Sequence, residues 1–76
     1  MEAEGVIRAR LRTEEDLDEY VALYEGETGE GPVDTDRDDL VVEVNVFSYG
    51  DREVLKDFLE ERDAEILVDE INDGEH

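Results

Sequence analysis

Residues 40–49, L-V-V-E-V-N-V-F-S-Y, are the most strongly β-patterned stretch of the sequence. Apolar and polar residues alternate with a period of two, which predicts a half-buried strand. One predicted face is wholly apolar and consists of Leu40, Val42, Val44 and Val46. The other face is mixed and consists of Val41, Glu43, Asn45, Phe47 and Tyr49.

The residues after this strand predict a helix and a last strand. Gly50 breaks the alternation, and Asp51 is suited to cap a helix that ends near residue 63. The apolar residues of that helix recur at helical spacing and are Val54, Leu55, Phe58 and Leu59. Residues 65–71, E-I-L-V-D-E-I, predict a final strand, and residues 72–76 are predicted to fray.

The residues before the central strand predict a second strand and helix pair. In residues 6–12, V-I-R-A-R-L-R, apolar Ile7, Ala9 and Leu11 alternate with Arg8, Arg10 and Arg12. Thr13 is suited to cap a helix over residues 14–25, and Gly26 is suited to end it. The apolar stripe of this helix consists of Leu17, Tyr20, Val21 and Tyr24, with the two tyrosine hydroxyls expected to reach water.

Residues 27–39 are polar and acidic and include Gly29, Gly31 and Pro32. A structureless loop of this length is uncommon in a compact domain. Two alternatives follow: the segment is a flexible acidic loop, or residues 31–35 form a short edge strand, where proline is tolerated.

The predicted order of elements is β-α-(β)-β-α-β, within a single domain of residues 1–76. This order predicts a two-layer α+β sandwich of the ferredoxin-like kind, with an antiparallel or mixed sheet and both helices on one face. The strands over residues 6–12 and 40–49 are expected to lie side by side at the centre. The predicted core also includes one face of the last strand, and its named members are Ile7, Ala9, Leu11, Leu17, Val21, Tyr24, Val42, Val44, Val46, Leu55, Phe58 and Leu59.

The run over residues 39–60, D-L-V-V-E-V-N-V-F-S-Y-G-D-R-E-V-L-K-D-F-L-E, is a strand followed by a capped amphipathic helix. It resembles the second half of small regulatory ferredoxin-like domains of the RAM and ACT type. The resemblance implies a dimeric or oligomeric domain, and many such domains bind amino acids. Their glycine-containing ligand turn is not recognisable in this sequence, so the resemblance assigns no ligand residue.

The charge is extreme, with 26 acidic residues against 7 basic ones and a formal net charge of −19. Such a charge is typical of a disordered chain, yet the apolar residues here follow strand and helix periods. A chain patterned to fold, but with this much self-repulsion, is suited to concentrated salt, where the Debye length is about 3 Å at about 1 M. The composition therefore resembles that of a haloarchaeal cytosolic protein, and we expect a cytoplasmic location.

Several classes of function are disfavoured by residues that the chain lacks. It has no cysteine, and its one histidine, His76, is the last residue, so no thiolate, catalytic triad or histidine-ligated zinc site is predicted. The acidic run at residues 34–39 has neither the glycine nor the terminal glutamate of a calcium loop. No apolar run is long enough for a membrane span. We expect no catalytic residue, metal, cofactor or membrane partner.

The predicted helix-free face of the sheet is the candidate site. Its residues are Arg8, Arg10, Arg12, Glu43, Asn45, Phe47 and Tyr49. Arginines beside aromatics are typical both of protein interfaces and of sheets that stack single-stranded bases. A solvated face, with arginines paired to Glu43 and to Asp69 or Glu70, is the third reading. The leading prediction is a non-catalytic interaction or regulatory domain that forms a homodimer or binds a protein; the alternative is a single-stranded nucleic-acid-binding domain.

The net charge makes a testable prediction about folding. Far-UV circular dichroism should show a cooperative α/β spectrum in molar KCl and lose much of it below about 0.1 M, where the Debye length reaches about 10 Å. Acidification to about pH 4 should partly replace salt, because it neutralises carboxylates near their ordinary pKa. A melting temperature independent of KCl concentration would contradict the adaptation to salt.

Overall fold

The computed structural model describes residues 4–72, which form four strands and two helices in the order β1-α1-β2-β3-α2-β4. The strands are β1 (Glu4–Arg10), β2 (Asp34–Asp36), β3 (Val41–Val46) and β4 (Glu65–Asn72), and the helices are α1 (Glu14–Thr28) and α2 (Tyr49–Glu61). Asn72, predicted to fray, is the last residue of β4. His76 and the rest of the predicted frayed tail lie outside the described residues.

The four strands form one antiparallel sheet in the spatial order β2-β3-β1-β4. β1 and β3 are neighbours at its centre, as the sequence predicts. β2 is the short edge strand that was one of the two alternatives for the acidic segment, and the backbone N–H of Val33 extends its pairing by donating to the Glu43 carbonyl (2.8 Å). An α+β arrangement of a four-stranded sheet and two helices is thus confirmed.

Both helices contribute to a single hydrophobic cluster with the apolar side of the central strands. Its buried members are Ile7, Ala9, Leu11, Leu17, Tyr20, Tyr24, Val42, Val44, Val46, Leu55 and Leu59. The predicted members Val21 and Phe58 are only partly buried and pack against this cluster. The parity predicted for β1 and β3 is therefore correct, because the predicted inward residues of the two strands belong to this cluster: Ile7, Ala9, Val42, Val44 and Val46.

Helix α1 begins where the sequence predicts and ends later. The Thr13 hydroxyl accepts a hydrogen bond from the backbone N–H of Asp16 (3.0 Å) and caps the helix. The prediction that Gly26 ends the helix is wrong, because α1 continues through it to Thr28. Gly29 is the residue that adopts the left-handed conformation (φ 76°), and its N–H donates to the Glu25 carbonyl (2.8 Å).

Helix α2 begins three residues before the predicted position. Ser48 is the cap, and its hydroxyl accepts from the backbone N–H of Asp51 (3.1 Å). Asp51 therefore lies inside the first turn, where a carboxylate is favoured by the helix dipole, rather than at the cap. As a consequence β3 ends at Val46, and Tyr49 belongs to the helix rather than to the strand.

A β-bulge changes the parity of β4. Ala9 faces Ile66 and Arg8 faces Val68, so Leu67 is the additional residue on the β4 side. Beyond the bulge Asp69 faces Ile7, whose side chain is buried against the helices. Asp69 is thereby placed on the helix side of the sheet together with Ile66, although the two are an odd number of positions apart.

The two helices contact each other through an aromatic and ionic cluster. The ring centroids of Tyr20 in α1 and Phe58 in α2 are 5.7 Å apart. The guanidinium of Arg62 lies 4.8 Å from the centre of the Phe58 ring and also bridges to Asp16 (2.9 Å) and Glu19 (2.8 Å). A single arginine therefore shields the aromatic contact and joins the start of α1 to the end of α2.

The hydroxyls of the two buried tyrosines differ, and the prediction that both reach water is wrong for Tyr20. The Tyr24 hydroxyl donates to the backbone carbonyl of Asn45 (2.8 Å) and ties α1 to β3. The Tyr20 hydroxyl is buried, and among the described residues it has no hydrogen-bond partner. Burial raises the pKa of both hydroxyls.

This difference predicts opposite effects of the same substitution. Tyr20→Phe should leave the free energy of unfolding unchanged or raise it by up to about 1 kcal/mol, because it removes an unpaired buried hydroxyl. Tyr24→Phe should lower it by about 1 kcal/mol, because the Asn45 carbonyl loses its donor. Urea unfolding at one fixed KCl concentration compares the two variants, and equal losses would mean that the Tyr20 hydroxyl is hydrogen-bonded.

Candidate functional site

The helices cover one side of the sheet, and the side chains of the opposite side form a surface that we call the open face. Residues paired across antiparallel strands project to the same side, so the register identifies its members. The open face consists of Val6, Arg8, Arg10, Asp34, Asp36, Val41, Glu43, Asn45, Glu65, Val68 and Glu70.

Four of the seven predicted site residues lie on this surface. Arg8 and Arg10 alternate with buried residues of β1, and Glu43 and Asn45 do the same in β3. Arg12 follows β1 instead of continuing it, and its guanidinium is 3.7 Å from the Asp63 carboxylate. Arg8 and Arg10, which belong to β1, therefore face away from the helices as predicted.

The two predicted aromatic residues do not form a pair along one strand. Phe47 follows β3 at the end of the sheet and is 41% exposed, whereas Tyr49 is the first residue of α2 and is 45% exposed. Ser48 lies between them and caps α2, so the two rings do not lie along one strand as base stacking on the sheet would require. The structure thus separates Tyr49 from the open face.

The arginines of the open face are paired with carboxylates. Arg8 donates to Glu43 across the two central strands (2.9 Å), and both side chains are partly buried. Arg10 donates to Glu65 of β4 (3.2 Å) in a more exposed pair. Glu43 is the partner that the sequence predicts for an arginine of this face, whereas Glu65 was not predicted.

Asp69, the other predicted partner, belongs to a different cluster. It accepts from Arg52 through both of its oxygens (3.1 and 2.9 Å) and contacts Lys56 (3.0 Å). Burial by itself would raise the pKa of Asp69, but the hydrogen bonds from Lys56 and Arg52 outweigh it and lower that pKa. The cluster joins α2 to β4 on the helix side, which the bulge makes possible.

Two apolar residues of the open face, Val6 and Val68, were not predicted to lie there. Val6 lies two positions before Arg8 on β1, Val68 faces Arg8 from β4, and both valines are half-buried. Val41, which the sequence does place on this face, is 5% exposed. The alternation in β1 assigns Val6 to the same side as Arg8, so this signal was present. Val68 carried no such signal, because the bulge reverses its parity relative to the start of β4.

The charge on the open face is unevenly distributed. Its centre, on β1 and β3, carries the Arg8–Glu43 pair together with Val6, Arg10, Val41 and Asn45. Its two margins carry the acids that we call the acidic rim, of which only Glu65 pairs with a cation, Arg10: Asp34, Asp36, Glu65 and Glu70. All seven basic side chains of the chain form ion pairs, so the face offers no unpaired cation to an anionic partner.

Other kinds of site find little support within residues 4–72. No group of three or more histidine, cysteine, aspartate or glutamate side chains is arranged there to hold a metal ion. None of the described helices has the length and hydropathy needed to cross a membrane. Comparison with protein families, with characterised proteins and with solved structures finds no match to this chain.

The Asp69 cluster predicts a stability difference between two ion pairs. Asp69→Asn should lower the free energy of unfolding by about 1–3 kcal/mol, because two partly buried cations lose their carboxylate. Asp63→Asn should change it by no more than about 0.5 kcal/mol, because the pair with Arg12 is long and exposed. Urea unfolding of both variants in about 0.5 and about 2 M KCl should leave only the Asp69 effect at the higher salt.

The same cluster sets the direction of a pH effect. Because the pKa of Asp69 is lower in the folded than in the unfolded state, its contribution is full above the unfolded pKa and is lost as pH falls through the folded pKa. Wild type should therefore lose stability in this acid range relative to Asp69→Asn. Parallel acid unfolding curves for the two proteins would contradict this role.

Proposed function

We propose that this chain is a small non-catalytic interaction or regulatory domain of a salt-rich cytosol that self-associates through its open face. The observation that carries the proposal is the uncovered centre of that face. Val6 and Val68 lie half-buried around an internally neutral Arg8–Glu43 pair, with no second layer over them in the described chain. A second copy would bury these side chains without leaving a net charge at the centre.

The fold is proposed to be ferredoxin-like. The element order β-α-β-β-α-β and a sheet that reads β4-β1-β3-β2 from its other edge both support this assignment. With the resemblance of residues 39–60 to RAM and ACT domains, they also support a dimeric or oligomeric state.

Concentrated salt is part of the proposal because each copy carries a net charge of −19. Two such copies repel each other at low ionic strength. The apolar contact between their open faces must outweigh this repulsion for a dimer to form. Screening over about 3 Å at about 1 M salt removes most of it. The domain is therefore expected to fold and associate in the same range of salt.

Single-stranded nucleic-acid binding, the alternative function, is less well supported. Phosphate contacts would require the arginines of β1 to leave Glu43 and Glu65. The acidic rim would face the nucleic-acid backbone, and Tyr49 begins a helix instead of continuing the strand. An oligonucleotide that binds a monomeric wild-type protein would nevertheless favour this function over self-association.

Substitution of the β4 valine that faces Arg8 on the open face tests the proposal. Val68→Glu should convert a dimer to a monomer in about 2 M KCl, because it buries a carboxylate in the interface beside Arg8. Val54→Glu makes the same chemical change on α2, where the valine is 36% exposed and away from the open face, and should leave the dimer intact. Size-exclusion chromatography with light scattering measures both masses.

Circular dichroism of both variants at the same KCl concentration controls for loss of fold. A wild-type protein that is folded but monomeric at every KCl and protein concentration would refute self-association. A dimer that Val68→Glu does not weaken would place the interface elsewhere.

A further inference from the structure

The register of β1 and β3 places opposite charges on either side of the boundary between these two strands. Arg8 of β1 and Glu43 of β3 face each other directly, and the boundary between their strands runs down the middle of the open face. Along the same two strands Arg10 faces Val41, and Val6 faces Asn45. The positive side chains of the centre thus lie on one side of this boundary, and Glu43 lies on the other.

We infer that two copies associate face to face about a two-fold axis that runs parallel to the strands, over the boundary between β1 and β3. This inference rests on the proposed function and specifies its geometry. Such an axis lays β1 of one copy over β3 of the other without changing position along the strand. Arg8 then meets Glu43 of the second copy, and Glu43 meets Arg8 of the second copy, in a closed ring of four alternating charges.

Charge excludes the other simple way of stacking the two faces. A two-fold axis that runs across the strands lays β1 over β1, so that Arg8 and Arg10 meet the arginines of the second copy. Like charges in contact are strongly unfavourable in an interface. The axis along the strands is also compatible with the aligned packing of two sheets, in which strand directions differ by about 30°.

The inferred geometry accounts for the distribution of acids at the margins. It lays β2 over β4 of the second copy, so that Asp36 faces Glu65 and Asp34 faces Val68. Repulsion between the acidic rims of the two copies therefore opposes association until salt screens it. The ring of Arg8 and Glu43 side chains at the centre favours one relative orientation of the two copies. A face about four strands wide, with strands about 4.8 Å apart, is small for a stable interface, so we expect a reversible dimer.

Charge reversal tests the ring through mixing. Arg8→Glu leaves only acids at the two ring positions, and Glu43→Arg leaves only arginines, so each variant alone should dimerise at least about tenfold more weakly than wild type. An equimolar mixture should form a heterodimer with a Kd within about threefold of the wild-type value. Sedimentation equilibrium in about 2 M KCl, with native mass spectrometry to identify the species, measures both effects.

A double exchange keeps the internal ion pair and so protects the fold. Arg8→Glu with Glu43→Arg should form its own dimer but should not mix with wild type, because like charges then meet across the axis. The matched control is Asp18→Arg with Arg37→Asp, which exchanges an ion pair (2.6 Å) between α1 and the β2–β3 turn. This control conserves net charge in the same way and should mix with wild type freely.

The outcomes separate this inference from the proposed function. Sorting of the double exchange from wild type, with rescue in the mixture of single variants, supports the ring. Free mixing of the double exchange with wild type overturns the inferred axis, and sensitivity of that dimer to Val68→Glu would still support the open face as interface. A monomeric wild type overturns both.

Discussion

Contacts between scarce cations and abundant carboxylates connect the parts of this protein. With 7 basic residues against 26 acidic ones, each cation that leaves its partner would increase the repulsion among the acids that remain. Arg62 joins the two helices, Arg52 and Lys56 join α2 to β4, and Arg8 joins the central strands. These are also the pairs with partly buried side chains, which salt screens least.

A consequence of this use of cations is that the charged side chains left without an ion-pair partner are acidic, because all seven basic side chains are paired. The pairs of Arg8, Arg52, Lys56 and Arg62 are partly buried, whereas those of Arg10, Arg12 and Arg37 are exposed. A domain with such a surface gains little from attracting anionic partners, since its arginines are already engaged. The proposed self-association relies instead on apolar groups beside a neutral ion pair, which lie together on the open face.

The sheet itself explains why that centre is uncovered. Both helices lie on the side of β1 and β3 that carries the continuous apolar rows, so neither helix packs on the other side. The two sides are nevertheless coupled, because the strand that presents Arg8 outward presents Ile7 and Ala9 inward. Any change in register would exchange the two sets, so the small core and the candidate interface are determined by the same pairing.

The sequence predicts correctly those features that depend on neighbouring residues. The period of two in β1 and β3 identifies which side chains are buried, and Thr13 identifies the start of α1. The predicted end of α1 and the predicted start of α2 were wrong because more than one nearby residue is suited to each position. Gly26 and Gly29 can both end a helix, and Ser48 and Asp51 can both cap one.

What the sequence determined by itself was therefore the class of fold, most of the core and the side of β1 on which Arg8 and Arg10 lie. Tertiary structure alone decided the bulge at Leu67, and with it the removal of Asp69 from the open face to a cluster with α2. The reason is physical: alternation along one strand is a local property, whereas a bulge and the choice of an ion-pair partner depend on which distant residues lie opposite after folding.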